Sequence, residues 1–269
     1  MERNKLLFIG AALSVMLVAV LACVKDPVAT RVPTPLPTIS SASFVEEFDS
    51  VGNLSAKGWV IRNNSYPVGQ SSWRQGRFEA MPVATPATKK GGFSGPVPYL
   101  GFQAHSVHKS PQDFISCDIT ALGDLDGNGG IISAWLISPQ LPMKNGDQII
   151  FHTRAINDEN YPVPTRDRMQ VMLNKRNGTA DVGLTASSRG SFDTTLLDIN
   201  PGYRENNPSG YPRAWRKYSI TISGLPAAGI SNGRFAFRYY GVDAGFFGGT
   251  SGNNYPSLIG IDSLAFVRK

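Results

Sequence analysis

The segment Asp124–Gly129 carries oxygen-bearing side chains in the order D-x-D-x-N-G, which opens calcium loops of the EF-hand type. Asp124, Asp126 and Asn128 could supply three of the six to eight oxygens that calcium needs. The position that normally provides a bidentate acid is Trp135, and the sequence around it predicts a strand instead of a helix. Two interpretations stay open: a calcium ion held with other partners, or an Asp, Gly and Asn turn between strands.

Aromatic side chains in long connecting segments are a second group that could bind a ligand, because loops on a rigid scaffold commonly carry recognition. These candidates are Tyr161, Tyr203, Tyr211, Phe246, Phe247 and Tyr255. The alternative is that several of them close the ends of the hydrophobic core. Trp59, Trp135 and Trp215 lie in strand-like segments, which predicts packing in the core or at sheet edges.

Motifs of catalysis are incomplete. Phe93-Ser94-Gly95 lacks the full G-x-S-x-G pattern of a serine hydrolase. His105 and His108 offer two zinc ligands, fewer than a zinc site uses. Nothing singles out the pair of opposed carboxyl groups that a glycosidase requires. The sequence therefore predicts no enzymatic activity.

The N-terminus has the pattern of an export signal: Arg3 and Lys5 precede an apolar run, Leu6–Leu21, that ends before Cys23. The run is shorter than the roughly 20 residues of a membrane-spanning helix. A cysteine at this position resembles the bacterial lipobox, in which the cysteine is acylated. We expect residues 1–22 to be a signal peptide and residues 23–43, rich in Pro, Thr and Ser, to be an extended tether. The lipid would anchor the protein to the outer membrane, at either the cell surface or the periplasmic face.

Composition indicates a globular protein, with 41% hydrophobic and 17% charged residues. The net charge is +6, but the basic residues are scattered, so nucleic-acid binding is not predicted. Acylation of Cys23 would leave Cys117 without a disulfide partner. Because Cys117 lies in an apolar, strand-like segment, we expect a buried thiol that packs as a small apolar side chain.

From residue 44 onward, apolar and polar side chains alternate in short segments separated by Gly, Pro, Asn and Asp. Clear examples are Gln148–Arg154, Arg168–Asn174 and Leu258–Val267. Each would bury one face, and two packed sheets satisfy all of them. The sequence therefore predicts an all-β fold, a β-sandwich of two antiparallel sheets over residues 44–269.

Several short motifs recur in an order that resembles a known family. They are Phe48-Asp49, Gly58-Trp59, Trp73, Ala134–Pro139, Asn145–Asp147, Asp167–Val171, Tyr211–Trp215, Gly233–Tyr240 and Ile259–Asp262. The series resembles the choice-of-anchor J domain, which is related to cleaved-adhesin domains and more distantly to MAM domains. The resemblance implies a jelly-roll β-sandwich, an extracellular setting, and a binding or adhesion role without catalysis.

The same resemblance implies a structural calcium ion between the start of the domain and its last strand. The matching carboxylates are Glu47, Asp49 and Asp262. The other interpretation is that the acidic residues near the start of the domain simply face solvent on an edge strand.

The sequence thus favours a lipid-anchored, extracytoplasmic binding module that recognises a glycan, a glycoprotein or a matrix surface. Two alternatives remain: a structural or assembly component of a cell-envelope protein complex, and a glycan-degrading enzyme built on the same fold.

Overall fold

The computed structural model describes residues 43–78, 101–123, 129–156, 165–207, 209–245 and 256–269. Twelve strands occur in this part of the chain: β1 Phe44–Glu46, β2 Val60–Asn63, β3 Arg74–Gln75, β4 Ile115–Asp118, β5 Gly130–Ile137, β6 Leu141–Met143, β7 Gln148–Ala155, β8 Met169–Asn174, β9 Thr194–Ile199, β10 Arg216–Thr221, β11 Ile230–Ala244 and β12 Leu258–Val267. Three single-turn 3-10 helices accompany them, at Val51–Asn53, Ser55–Lys57 and Ile119–Ala121. Within the described residues, no helix has the length and apolarity needed to cross a membrane.

The strands form two six-stranded antiparallel sheets. The first sheet has the order β10-β7-β12-β4-β3, with β1 also paired to β12. The second has the order β2-β5-β11-β8-β9, with β6 also paired to β11. The predicted all-β sandwich of two antiparallel sheets is confirmed, and the pairing of β1 with β12 brings the first and last strands together.

The hydrophobic core lies between the sheets. Ile149 and Phe151 of β7 and Phe235 and Phe237 of β11 are fully buried at alternate positions, as the period of a strand requires. The rings of Phe151 and Phe237 meet edge to face, with centroids 4.9 Å apart, so β7 and β11 contact each other across the sandwich.

The face of the first sheet that points away from this core is covered by aromatic side chains. Gly260 of β12 lies opposite Arg154 of β7 and Ser116 of β4, on the other face of the strand from Ile259 and Ile261. A Cβ atom on Gly260 would lie 2.8 Å from the ring of Phe102 and 2.9 Å from that of Phe114. Glycine therefore gives these two rings room to pack on the strand.

The outer face of the second sheet carries a separate apolar cluster. Trp135, Met172 and Ala236 project there and pack with Val182 and Phe192 from the long segment between β8 and β9. The predicted packing roles of the tryptophans are confirmed: Trp59 and Trp135 are buried, and half-buried Trp215 packs against the core.

Cys117 lies in β4 and is fully buried, as predicted. Burial raises the pKa of its thiol well above the ordinary range. The thiol therefore stays protonated and packs as an apolar group.

Candidate functional site

An open depression of about 460 Å³ lies where the chain enters β10. It is lined by Pro212, Arg213, Ala214, Trp215, Arg216 and Lys217. Its volume is within the range of sites for small ligands. Arg216 and Lys217 are exposed, and Arg213 and Trp215 are half-buried. The depression thus combines one large aromatic ring with several charged hydrogen-bond donors.

The indole of Trp215 is held in place by the aromatic cover of the first sheet. Its Nε1 donates a hydrogen bond to the carbonyl oxygen of Gln103 at 2.9 Å. Its ring meets Phe102 and Phe114 edge to face, at centroid distances of 5.4 and 5.7 Å. Because both ring contacts and the hydrogen bond fix the same side chain, the indole needs little further ordering to bind a ligand.

Two histidines lie beside the Trp215 depression. The rings of His105 and His152 are stacked with centroids 3.7 Å apart, and His105 also contacts Trp215 at 6.2 Å. Burial, together with the charges of His105 and Lys217, lowers the pKa of His152. The buried Nδ1 of His152 has no hydrogen-bond partner among the residues that the structure describes. His152 therefore supplies a neutral imidazole next to a cationic surface.

The predicted calcium carboxylates lie at the junction of β1 and β12. Asp262 is fully buried; its Oδ2 accepts a hydrogen bond from the Ser106 N–H at 3.0 Å and its Oδ1 one from the Ser263 N–H at 2.7 Å. Burial raises the pKa of Asp262 to about 6, with a smaller contribution from the charge of Glu47. The structure therefore brings Glu47 and Asp262 within electrostatic reach of each other.

These oxygens suit calcium chemically, although they do not form a complete shell. Glu47 has a buried Oε2 atom with no hydrogen-bond partner in the described chain, which a cation would satisfy. Asp49 is exposed and is hydrogen-bonded to His108 instead. No group of three or more His, Cys, Asp and Glu side chains in the described ranges is arranged to hold a metal ion. Backbone carbonyls and water would have to complete the six to eight ligands.

Asp49 is the end of a series of hydrogen-bonded side chains, Ser, His and Asp, in the same order as the catalytic triad of serine hydrolases. Ser106 Oγ lies 3.2 Å from His108 Nε2, and His108 Nδ1 lies 2.8 Å from Asp49 Oδ1. The hydrogen bond to Asp49 raises the pKa of His108. Because this series is exposed and lies outside the lining of the Trp215 depression, we interpret it as a tie that holds the His105–His108 loop.

Tyr211 was predicted to offer its ring to a ligand, and this prediction is wrong. The side chain is fully buried, and its hydroxyl lies 2.7 Å from the hydroxyl of Thr153. The alternative, that some loop aromatics close the core, is correct for this residue. The adjacent stretch from Pro212 to Lys217 lines the depression instead.

Tyr203 lies on the side of the second sheet, away from Trp215. Its hydroxyl accepts hydrogen bonds from Arg168 Nη1 at 3.1 Å and from the Val242 N–H at 3.3 Å. Arg168 also forms a salt bridge of 2.6 Å with Asp198. Tyr203 is thus half-buried in an intramolecular network.

The remaining predicted residues lie outside the described ranges. They are Cys23 in the tether, Asp124, Asp126 and Asn128 of the calcium-like loop, and the aromatic residues Tyr161, Phe246, Phe247 and Tyr255. Their roles stay predictions.

Arg216, Lys217 and His152 were not predicted as site residues, and His105 was considered only as a zinc ligand. A signal was present in Pro212–Lys217, where basic residues flank alanine and tryptophan in the order P-R-A-W-R-K. The histidines carry no comparable signal, because their stacking depends on contacts between distant segments.

Comparison with known proteins gives similar solved structures only. No family model and no curated protein matches the chain. A cleaved adhesin domain of Lys-gingipain from Porphyromonas gingivalis is 15% identical, with a TM-score of 0.45 over 85% of this chain and 99% of that chain. Another cleaved adhesin domain of Lys-gingipain is 17% identical, with a TM-score of 0.43 over 86% of this chain and 100% of that chain.

A family 11 carbohydrate-binding module from Clostridium thermocellum, in complex with a mixed-linked tetrasaccharide, is 10% identical. Its TM-score is 0.36 over 85% of this chain and 97% of that chain. All three TM-scores are below 0.5, so these likenesses carry no argument about ligand or activity. Function has to be argued from the residues of this chain.

Proposed function

We propose that this protein is a non-catalytic binding module that recognises a glycan, either as a polysaccharide or on a glycoprotein. The observation that carries the proposal is the fixed indole of Trp215 in an open depression flanked by hydrogen-bonding side chains. A flat aromatic ring can pack on the apolar face of a sugar, while nearby charged and polar groups orient its hydroxyls. Binding of this kind needs no reacting group.

We further propose that the module works outside the cytoplasm, anchored by a lipid on Cys23 and separated from the membrane by the tether. The export pattern of residues 1–23 supports this proposal. The anchor would place the protein on the outer membrane, at the cell surface or the periplasmic face.

A structural calcium ion is part of the same proposal. Glu47 and Asp262 would hold it, with Asp49 contributing if its side chain exchanges His108 for the ion. Calcium would neutralise the buried carboxylates at the junction of the first and last strands. Its role would be to stabilise the sandwich.

The test is an array that carries glycans and matrix proteins side by side, probed with the purified protein in calcium-containing buffer. The proposal predicts retention on a set of glycans. Retention on deglycosylated proteins alone would instead favour an assembly component of the cell envelope. Release of shortened sugars from the array would identify a glycan-degrading enzyme.

A further inference from the structure

We infer that the Trp215 depression selects anionic glycans, whose sugars carry carboxylate or sulfate groups. This inference rests on the proposed glycan-binding function and names the ligand class of the same depression. Three of the six lining residues are basic, namely Arg213, Arg216 and Lys217, and none is acidic.

Within the described ranges, no acidic side chain pairs with the two exposed cations of the depression. Neither Arg216 nor Lys217 forms a salt bridge with any residue of the described chain. Their cross-strand partners in β7 are Thr153 and His152, so the register of β10 places no carboxylate opposite them. Elsewhere in the molecule, Lys57 and Arg168 are paired with acids at 2.9 and 2.6 Å.

A further cation lies on the same aromatic cover. The guanidinium carbon of Arg154 lies 4.5 Å from the centroid of Phe102, whose ring also contacts Trp215. Lys217, opposite His152, and Arg154 therefore bring positive charge to the outer face that carries the indole, while Arg216, opposite Thr153, lines the depression from the edge strand. A sugar ring packed on Trp215 would place its charged substituent among groups that form charge-assisted hydrogen bonds with carboxylate and sulfate oxygens.

A glycan fits this arrangement better than a nucleic acid or a membrane does. The basic residues surround a single depression, whereas binding to a duplex or an anionic bilayer uses a longer basic stripe or run. The chain has no such run of basic residues.

The test compares charged and neutral forms of one sugar by calorimetric titration of the full-length purified protein. Tetragalacturonate is paired with its methyl ester, and a chondroitin sulfate oligosaccharide with its desulfated form, so that carboxylate and sulfate recognition are separated. Where a charged sugar binds, we expect its affinity to be about tenfold higher than that of its neutral counterpart. This ratio corresponds to a difference of about 1.4 kcal/mol in binding free energy. The preference should shrink when NaCl is raised from about 50 to about 300 mM.

Two double variants locate the effect. Arg216→Gln with Lys217→Gln should reduce the affinity for the charged form about tenfold and remove the preference over the neutral form. The control, Arg62→Gln with Arg204→Gln, removes the same charge from two exposed positions of the second sheet, one in β2 and one after β9. It should change neither the affinity for the charged form nor the preference over the neutral form. All four positions are exposed, so the variants should fold.

Equal affinity for charged and neutral sugars, or an unchanged preference in the Arg216 and Lys217 variant, would overturn the inference and leave glycan binding intact. Tighter binding to duplex DNA or to phosphatidylglycerol vesicles than to any glycan would also overturn it. Failure to bind any glycan would remove the proposed function itself.

Discussion

The carboxylate of Asp113 organises the loop that carries the aromatic cover of the first sheet. Its Oδ2 accepts hydrogen bonds from three successive backbone N–H groups, those of His108, Lys109 and Ser110, at 3.2, 2.6 and 2.8 Å. Burial by itself would raise the pKa of Asp113, but the three N–H groups outweigh it and hold the pKa below the ordinary value. The charged form therefore stabilises the loop.

This lowered pKa predicts a pH dependence of stability. An acid with a depressed pKa in the folded state stabilises the protein above its unfolded pKa of roughly 3.9, and that stabilisation is lost as pH falls through the folded pKa. Asp113→Asn should therefore be destabilised at pH 7, and its difference from wild type should shrink as pH falls from about 5 to about 2. Urea unfolding at a series of pH values measures this difference. A difference that stays constant with pH would mean that the charge of Asp113 is not involved.

Calcium binding at Glu47 and Asp262 predicts stabilisation by the metal ion. At a calcium concentration about 100-fold above its Kd, the melting temperature should rise by roughly 5–10 °C. Glu47→Gln and Asp262→Asn should each reduce the rise, whereas Glu205→Gln, an exposed acid elsewhere, should keep it. Differential scanning calorimetry with calcium and with chelator gives the measurement. Identical melting curves in the two buffers would contradict the calcium proposal.

Strand β12 links the two parts of the candidate site. It pairs with β1, β4 and β7, carries Asp262 near its middle and presents Gly260 to the aromatic cover. The strand therefore positions the acidic cluster and, through Phe102 and Phe114, the indole of Trp215.

Gly260→Ala tests this packing. Its Cβ would lie closer than 3.0 Å to the rings of Phe102 and Phe114, so we expect a loss of about 1–3 kcal/mol in the free energy of unfolding. Gly241→Ala in β11 is the matched control, because its Cβ would meet no atom closer than 3.6 Å. Urea unfolding compares the two variants. Equal stability of both would show that the aromatic cover does not pack on β12 as described.

The longer strands are predictable from sequence, whereas the shortest strands and the order of strands within each sheet are not. Residues 258–267 and 148–155 alternate over enough positions to define a strand and its buried face, and the structure has strands β12 and β7 there. Strand β3, with two residues, is too short to show a period. The order of strands in each sheet depends on contacts between distant segments, which one sequence does not reveal.

The candidate site also depends on contacts between distant segments, so only part of it could be predicted from the sequence. Trp215 was correctly predicted to pack, but the residues that its ring packs against, Phe102 and Phe114, are distant in sequence. Tyr211 and Trp215 lie in one connecting segment, yet one is buried and the other borders the depression. Residue type and spacing cannot separate these two outcomes.

For the molecule as a whole, the proposed lipid anchor would set where the binding module works. We expect the wild-type protein to incorporate an alkyne-labelled fatty acid and to sediment with the outer membrane. Cys23→Ser should abolish both the label and the sedimentation, while Cys117→Ser, a control for the other cysteine, should keep both. Labelled Cys23→Ser protein would place the lipid elsewhere, and unlabelled wild-type protein would contradict the anchor.

The proposed function depends on the fixed indole of Trp215 as the surface that binds the glycan. A calorimetric titration of the purified protein with a glycan that the array retains tests this contact. Trp215→Ala should weaken binding about fivefold or more, since base stacking on an aromatic ring, a comparable contact, contributes roughly 1–3 kcal/mol. Tyr66→Ala, which removes an aromatic side chain that is 73% exposed elsewhere, should bind as wild type does. Unchanged affinity in a folded Trp215→Ala protein, or sugar turnover that Ser106→Ala abolishes, would contradict the account.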